Sequence, residues 1–117
     1  MTTRLEDRFG EISGLGTTYT IVGAAVPAST KWNTLINLAN RHASATIKVR
    51  LYIADTSWTT GEPTGGTLKA AIAYDLSLLP GTVEQITGII MLTTEKLIAR
   101  SDTASSLDIS VSGVAIS

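Results

Sequence analysis

The sequence has no cysteine, a single histidine, three prolines and only six aromatic residues in 117. Without cysteine there is no disulfide framework and no thiolate to serve as nucleophile or metal ligand. With His42 as the one imidazole, zinc and copper sites of the usual kind cannot be assembled within one chain. Charge is scarce as well: Asp, Glu, Lys and Arg make up 16% of the chain, with a formal net charge of −1. There is no basic excess to release counterions, so nucleic acid is not expected as a partner. No apolar run approaches the roughly 20 residues of a membrane helix, and no membrane partner is expected. Acidic Glu6 and Asp7 stand where a secretory signal would have its apolar region, so synthesis in a cytoplasm is expected.

Catalytic patterns are missing too. There is no Gly-x-Ser-x-Gly elbow, and the ten carboxylates are dispersed. Neither glycine cluster has the spacing or the following lysine of a phosphate-binding loop, and no calcium-loop pattern occurs. The expectation is a protein that is not an enzyme and uses no cofactor.

What the chain does have is hydroxyl and β-branching. Ser and Thr account for 29 residues, 18 of them Thr, a type enriched in strands. From Thr17 onward short strands alternate with turn signals. The clearest runs from Thr46 to Asp55, where Ile47, Val49, Leu51 and Ile53 point to one face and Thr46, Lys48, Arg50 and Tyr52 to the other. That alternation predicts a buried face and a wet one. Thr17–Gly23, Trp32–Asn40, Leu68–Tyr74, Val83–Leu92, Lys96–Ser101 and Leu107–Ile116 read as further strands. Asn40–Ser44 reads as a polar hairpin turn, and Pro80-Gly81 suits the centre of a type II turn. In the last strand Leu107, Ile109 and Val111 alternate, then the apolar phase breaks at Gly113 and resumes with Val114 and Ile116, which predicts a bulge. About seven or eight such strands predict an all-β, antiparallel β-sandwich, jelly-roll or Ig-like, in one domain over residues 17–117.

Two segments stand apart. Residues 1–16 hold five charges and three glycines, with Leu5, Phe9 and Ile12 at spacings of four and three. They read as an N-terminal extended arm, with a short helix or an added strand as its ordered form. Its first expected dock is another chain, with Leu5, Phe9 and Ile12 as anchors, and its own domain is the alternative. The stretch Thr56–Thr67 is long for a connection and marks a candidate functional loop. Its Trp58 is read three ways: a lid folded over the sheet, an anchor at a protein interface, or a platform for sugar. The low charge, below the roughly 25–35% typical of a solvated surface, points to a sheet edge or face covered by association.

Several words of the chain resemble a family of small virion structural proteins of tailed double-stranded-DNA phages. They are Val26-Pro27-Ala28 followed by Trp32, Leu38-Ala39-Asn40, Val49-x-Leu51-Tyr52-Ile53-Ala54-Asp55, Ile72-Ala73-Tyr74-Asp75, Leu79-Pro80-Gly81-Thr82, Gly88-Ile89-Ile90-Met91-Leu92 and Asp108-x-Ser110-Val111-Ser112-Gly113-Val114-x-Ile116. The likeness spans residues 20–117. Glu95-Lys96 departs from the Gly-Asp pair often found there in the family, and the arm lies outside it. The resemblance implies a non-enzymatic β-sandwich built into a phage particle, made in the bacterial cytoplasm. It implies contacts with copies of itself, a homo-oligomer for which a trimer is one option, and with the major capsid protein or other virion proteins. A capsid decoration (cement) subunit is the first expectation. A neck or tail component comes next, and a carbohydrate-binding module for host attachment is the alternative from another class.

Overall fold

The computed structural model describes residues 4–117, with side chains from Glu6 onward. It contains eight strands: β1 (Arg4–Leu15), β2 (Thr20–Ile21), β3 (Lys31–Asn40), β4 (Ile47–Ala54), β5 (Leu68–Leu78), β6 (Val83–Met91), β7 (Lys96–Ser101) and β8 (Leu107–Ile116). One turn of 3-10 helix, Gly65–Thr67, precedes β5. The strands form two four-stranded sheets with orders β1-β8-β3-β6 and β2-β7-β4-β5, every pairing antiparallel. Strand 1 lies beside 8, 2 beside 7, 3 beside 6 and 4 beside 5, so the chain behaves as one long hairpin folded over into two sheets. That order is the jelly roll.

Residues that alternate toward the space between the sheets form the core. Ile36, Leu38, Ile47, Val49, Leu51 and Leu97 are essentially inaccessible. In β4 the alternation reads true: Ile47, Val49 and Leu51 are fully buried and Ile53 nearly so. Asn40–Ser44 is not a hairpin turn, because it leads from β3 in one sheet to β4 in the other. It is organised around the buried Asn40, whose amide donates to the carbonyls of Ala45 (2.8 Å) and Leu78 (2.9 Å) and accepts from the His42 N–H (2.9 Å). His42 Nδ1 in turn accepts from the N–H groups of Ser44 and Ala45. The Pro80-Gly81 turn also links the sheets, closed by Thr82 N–H on the Leu79 carbonyl.

The segment set apart as an arm is a strand of this chain's own sheet. β1 pairs with β8 from Arg4 opposite Ile116 to Leu15 opposite Leu107. A register shift between Arg8 and Gly10 leaves Phe9 as an extra residue in the strand. This explains the helix-like spacing: the bulge lets Phe9 and Ile12, three apart, both face the core of a strand. Phe9 stacks on Trp32 with ring centroids 4.1 Å apart and planes 1° from parallel, and Ile12 packs against the same core. The contacts expected with another chain are made at home. Leu5 sits opposite Ala115 in the register, but its side chain lies outside the described ones. Gly23 secures the crossing of β1 over the start of the second sheet. Its φ is +82°, and a Cβ there would strike the Phe9 carbonyl oxygen.

The bulge expected at Gly113 is absent. β8 pairs with β3 without a shift from Leu107 to Ile116. The register gives Gly113 an inward place opposite Thr34, and a Cβ there would collide with the Asn33 carbonyl oxygen, so glycine is needed. Val114 and Ile116 therefore fall on the outer face, half-buried, rather than in the core.

Candidate functional site

Most of the interacting charge in the described residues lies on the outer face of the β2-β7-β4-β5 sheet, under residues 55–67. Arg50 of β4 stands directly opposite Arg100 of β7. Two like charges side by side on a sheet repel, and the surrounding side chains answer that repulsion. Asp75 of β5 takes the Arg50 guanidinium at 2.8 Å and 3.3 Å through two oxygens. Glu62 from the loop reaches Arg50 at 3.4 Å and accepts from the Tyr52 hydroxyl (2.8 Å) and the Tyr19 hydroxyl. Tyr74 lies with its ring 4.2 Å from the Arg50 guanidinium carbon, and Tyr19 lies 5.3 Å from that of Arg100, both within cation–π range. Arg100 Nε is buried without a hydrogen-bond partner.

The loop is tied down at three points. Asp55 accepts from the Ser57 hydroxyl (2.7 Å) and N–H (3.3 Å), bending the chain as it leaves β4. Lys96 Nζ donates to the carbonyls of Thr56 and Trp58, both at 2.9 Å. Glu62 is the third tie. Between them Trp58 is pressed onto Tyr52, Ala54 and Ile98 as a small second core, with its indole N–H on the Gly61 carbonyl at 2.9 Å. Only 6% of Trp58 is exposed. The lid reading of this residue is therefore the one the structure supports. A Trp buried in its own chain presents neither an anchor to a partner nor a face to sugar. Tyr52, expected on the wet face, is buried beneath the same loop.

These contacts move the titrations. The Arg50 guanidinium is held more firmly protonated by its hydrogen bond to Asp75. Burial, then the bond to Glu62, pushes the Tyr52 phenol up. Desolvation works against the Glu62 carboxylate, but the Tyr19 and Tyr52 hydroxyls with the Arg50 and Arg100 charges outweigh it and keep this carboxyl below its ordinary range. Asp75 is lowered by the Arg50 hydrogen bond and Asp55 by those from Ser57. Carboxyls lowered in the folded state favour folding above their unfolded pKa values, near 4, and that contribution is lost as pH falls through the folded values. The protein is thus expected to melt at progressively lower temperature below about pH 4. Glu62→Gln should start from a lower melting temperature at pH 7 and lose less on acidification. Thermal melts of the two proteins from pH 7 to pH 2 check this; parallel curves would mean that Glu62 is not a tie.

Chemically the acids of the cluster are engaged, and among its buried polar atoms Arg100 Nε alone lacks a partner. The Glu62 carboxylate is occupied by two phenols and a guanidinium, and no nucleophile stands beside a free base. Its geometry is that of a clamp on a loop. The sequence marked the loop and Trp58, but not Arg50, Arg100 or Glu62. Of the three only Arg50 carries a signal in the sequence, as a cation on the outward side of the β4 alternation.

A comparison with known protein families finds no match, and one with curated proteins finds none either. Solved structures do share the fold. Over 99% of its length the chain is similar to part of a structure of infectious bursal disease virus, Gx strain, with a TM-score of 0.53 and 15% identity. It is similar over the same share to part of the T13 viral particle of that virus, with a TM-score of 0.50 and 14% identity. The chain spans 32% and 30% of those chains, about a third of their length. At these identities the likeness is one of fold, an antiparallel β-sandwich of the jelly-roll order.

Proposed function

We propose that this chain is a non-enzymatic structural subunit of a virus particle, held there by protein–protein contacts with copies of itself and with other virion proteins. The observation that carries the reading is a set of large apolar side chains left in solvent around β6. Leu79 and Leu92 flank the strand at 62% and 53% exposure, and Val83 and Ile90 lie on it at 66% and 49%. Such a group on a chain this poor in charge fits a surface that a partner covers. The likeness in fold to chains of a virus particle supports the same reading, as an analogy of architecture. Within it we favour a capsid decoration subunit of a tailed phage, with the neck or tail as the second placement. A subunit that binds only the assembled shell stabilises the shell by mass action.

The test uses particles of the virus that encodes the chain. Mass spectrometry should find it at a fixed copy number, and imaging of a labelled copy should place it on the head. A label at the neck or tail would overturn the decoration reading while keeping the structural one. Absence from purified particles would overturn both.

A further inference from the structure

We propose that the outer face of the β1-β8-β3-β6 sheet is the surface on which a second copy of this chain docks. The inference deepens the self-assembly part of the function proposed above. It begins with the surfaces that are poorly suited to self-contact. A free sheet edge invites pairing unless it is shortened, bulged or charged. β2 has two residues. β5 is broken by three register shifts against β4. β1 carries charge and the bulge at Phe9. β6 shifts register beside Gly88 and turns Glu84 toward the core side, opposite Leu38. The outer face of the other sheet is partly roofed by the clamped loop. The outer face of this sheet has no such cover among the described residues.

Its composition is unlike that of a solvated sheet. The pairing registers put Asn33 and Asn37 of β3, Gln85 and Thr87 of β6, and Ser110 and Ser112 of β8 on this face. Leu35, Val83, Ile90 and Val114 lie among them. Charge is kept to the border: Lys31 and Asp108 near the ends, and Glu6, Arg8 and Glu11 along β1. A centre free of charge, bordered by charge on the β1 side and at both ends, has the depletion of charged residues found at the core of interfaces.

Two arguments select a second copy as the occupant. Amides and hydroxyls each donate and accept, so a field of Asn, Gln, Ser and Thr is complementary to another such field, and its centre holds no charge for a charged partner to neutralise. The Gln85–Asn37 bond at 3.0 Å already shows this pairing within the face. The area suffices as well. Four strands about 4.8 Å apart and about ten residues long at roughly 3.3 Å each give a face of about 600 Å². Two such faces in contact bury about 1,200 Å², at the lower bound of a standard interface. Val83 and Ile90, exposed in the lone chain, would then be covered.

Sedimentation velocity over a concentration series tests this on the full chain, with Ser112→Arg and Thr87→Lys as face variants and Thr59→Lys in the roofing loop as control. The wild type and the control should associate as concentration rises. The face variants should stay monomeric at concentrations at least tenfold higher, with unchanged melting; Thr87 is exposed, so Thr87→Lys keeps the test valid if Ser112→Arg folds poorly. A wild type that remains a monomer throughout, or face variants that associate like wild type, would overturn the inference. Incorporation into particles, measured on the same proteins, separates the two proposals: association through another surface with normal incorporation removes this face and leaves the virion role standing.

Discussion

Deletion of residues 4–15 should leave a chain that no longer folds cooperatively. Those residues are β1, and their loss uncovers the length of β8, strips Phe9 from the Trp32 ring and removes Leu15, which is only 4% exposed. Burying an aliphatic or aromatic side chain is worth about 1.5–3 kcal/mol when complete. Phe9, Ile12 and Leu15 together thus supply on the order of 5 kcal/mol, at the scale of the whole stability of a small domain. Circular dichroism melts and near-ultraviolet spectra of the truncated chain check the expectation. Gly23→Val provides the same test without deletion, because its side chain would collide with the Phe9 carbonyl and displace β1 from its crossing. A truncated protein with the wild-type melting temperature would make β1 a detachable arm after all.

Val49→Asp is the second large effect expected. Val49 is wholly inaccessible between the sheets, among Ile47, Leu51 and their neighbours. A carboxylate placed there finds no partner, and burying an unpaired charge costs several kcal/mol or forces its protonation. Unfolding at neutral pH is the expected outcome, with soluble yield and the near-ultraviolet spectrum as readouts. Lys48→Asp, one residue away on the exposed face, should change stability by less than about 1 kcal/mol. The contrast between the two tests the register of β4, since a slip of one residue would exchange their effects.

The readings that held and those that failed differ in how local their physics is. β4 was legible because strict alternation over eight residues admits one buried face. The type II turn at Pro80-Gly81 was legible because φ at each central position follows from the residue itself. Phe9 and Ile12 misled because a bulged strand and a helix can both put residues three apart on one side. The phase break at Gly113 misled for another reason: apolar side chains suit the core, whereas the register carries Val114 and Ile116 to the outer face. Tyr52 read as wet because a period of two does not show that the loop after β4 folds back over that face and sets Trp58 on it. The partners of Arg50 and Arg100 were invisible because Glu62 is twelve residues from the first and 38 from the second, and only the folded sheet places them together.

By itself the sequence determined that the chain is all-β, that the seven strands after β1 fall close to where they are found, and which face of β4 is buried. It also excluded cysteine chemistry and a strongly basic surface. These are consequences of residue type and of a period of two, and both act within a few positions. Tertiary structure alone decided that β1 belongs to the sheet, that the connections after β3 and β5 cross between sheets, and that strands pair as 1 with 8, 2 with 7, 3 with 6 and 4 with 5. It also decided that Trp58 closes over its own sheet while a neutral face stays open on the other. Most of these join groups far apart along the chain, where the free energy depends on which surfaces meet and not on the residues that flank them.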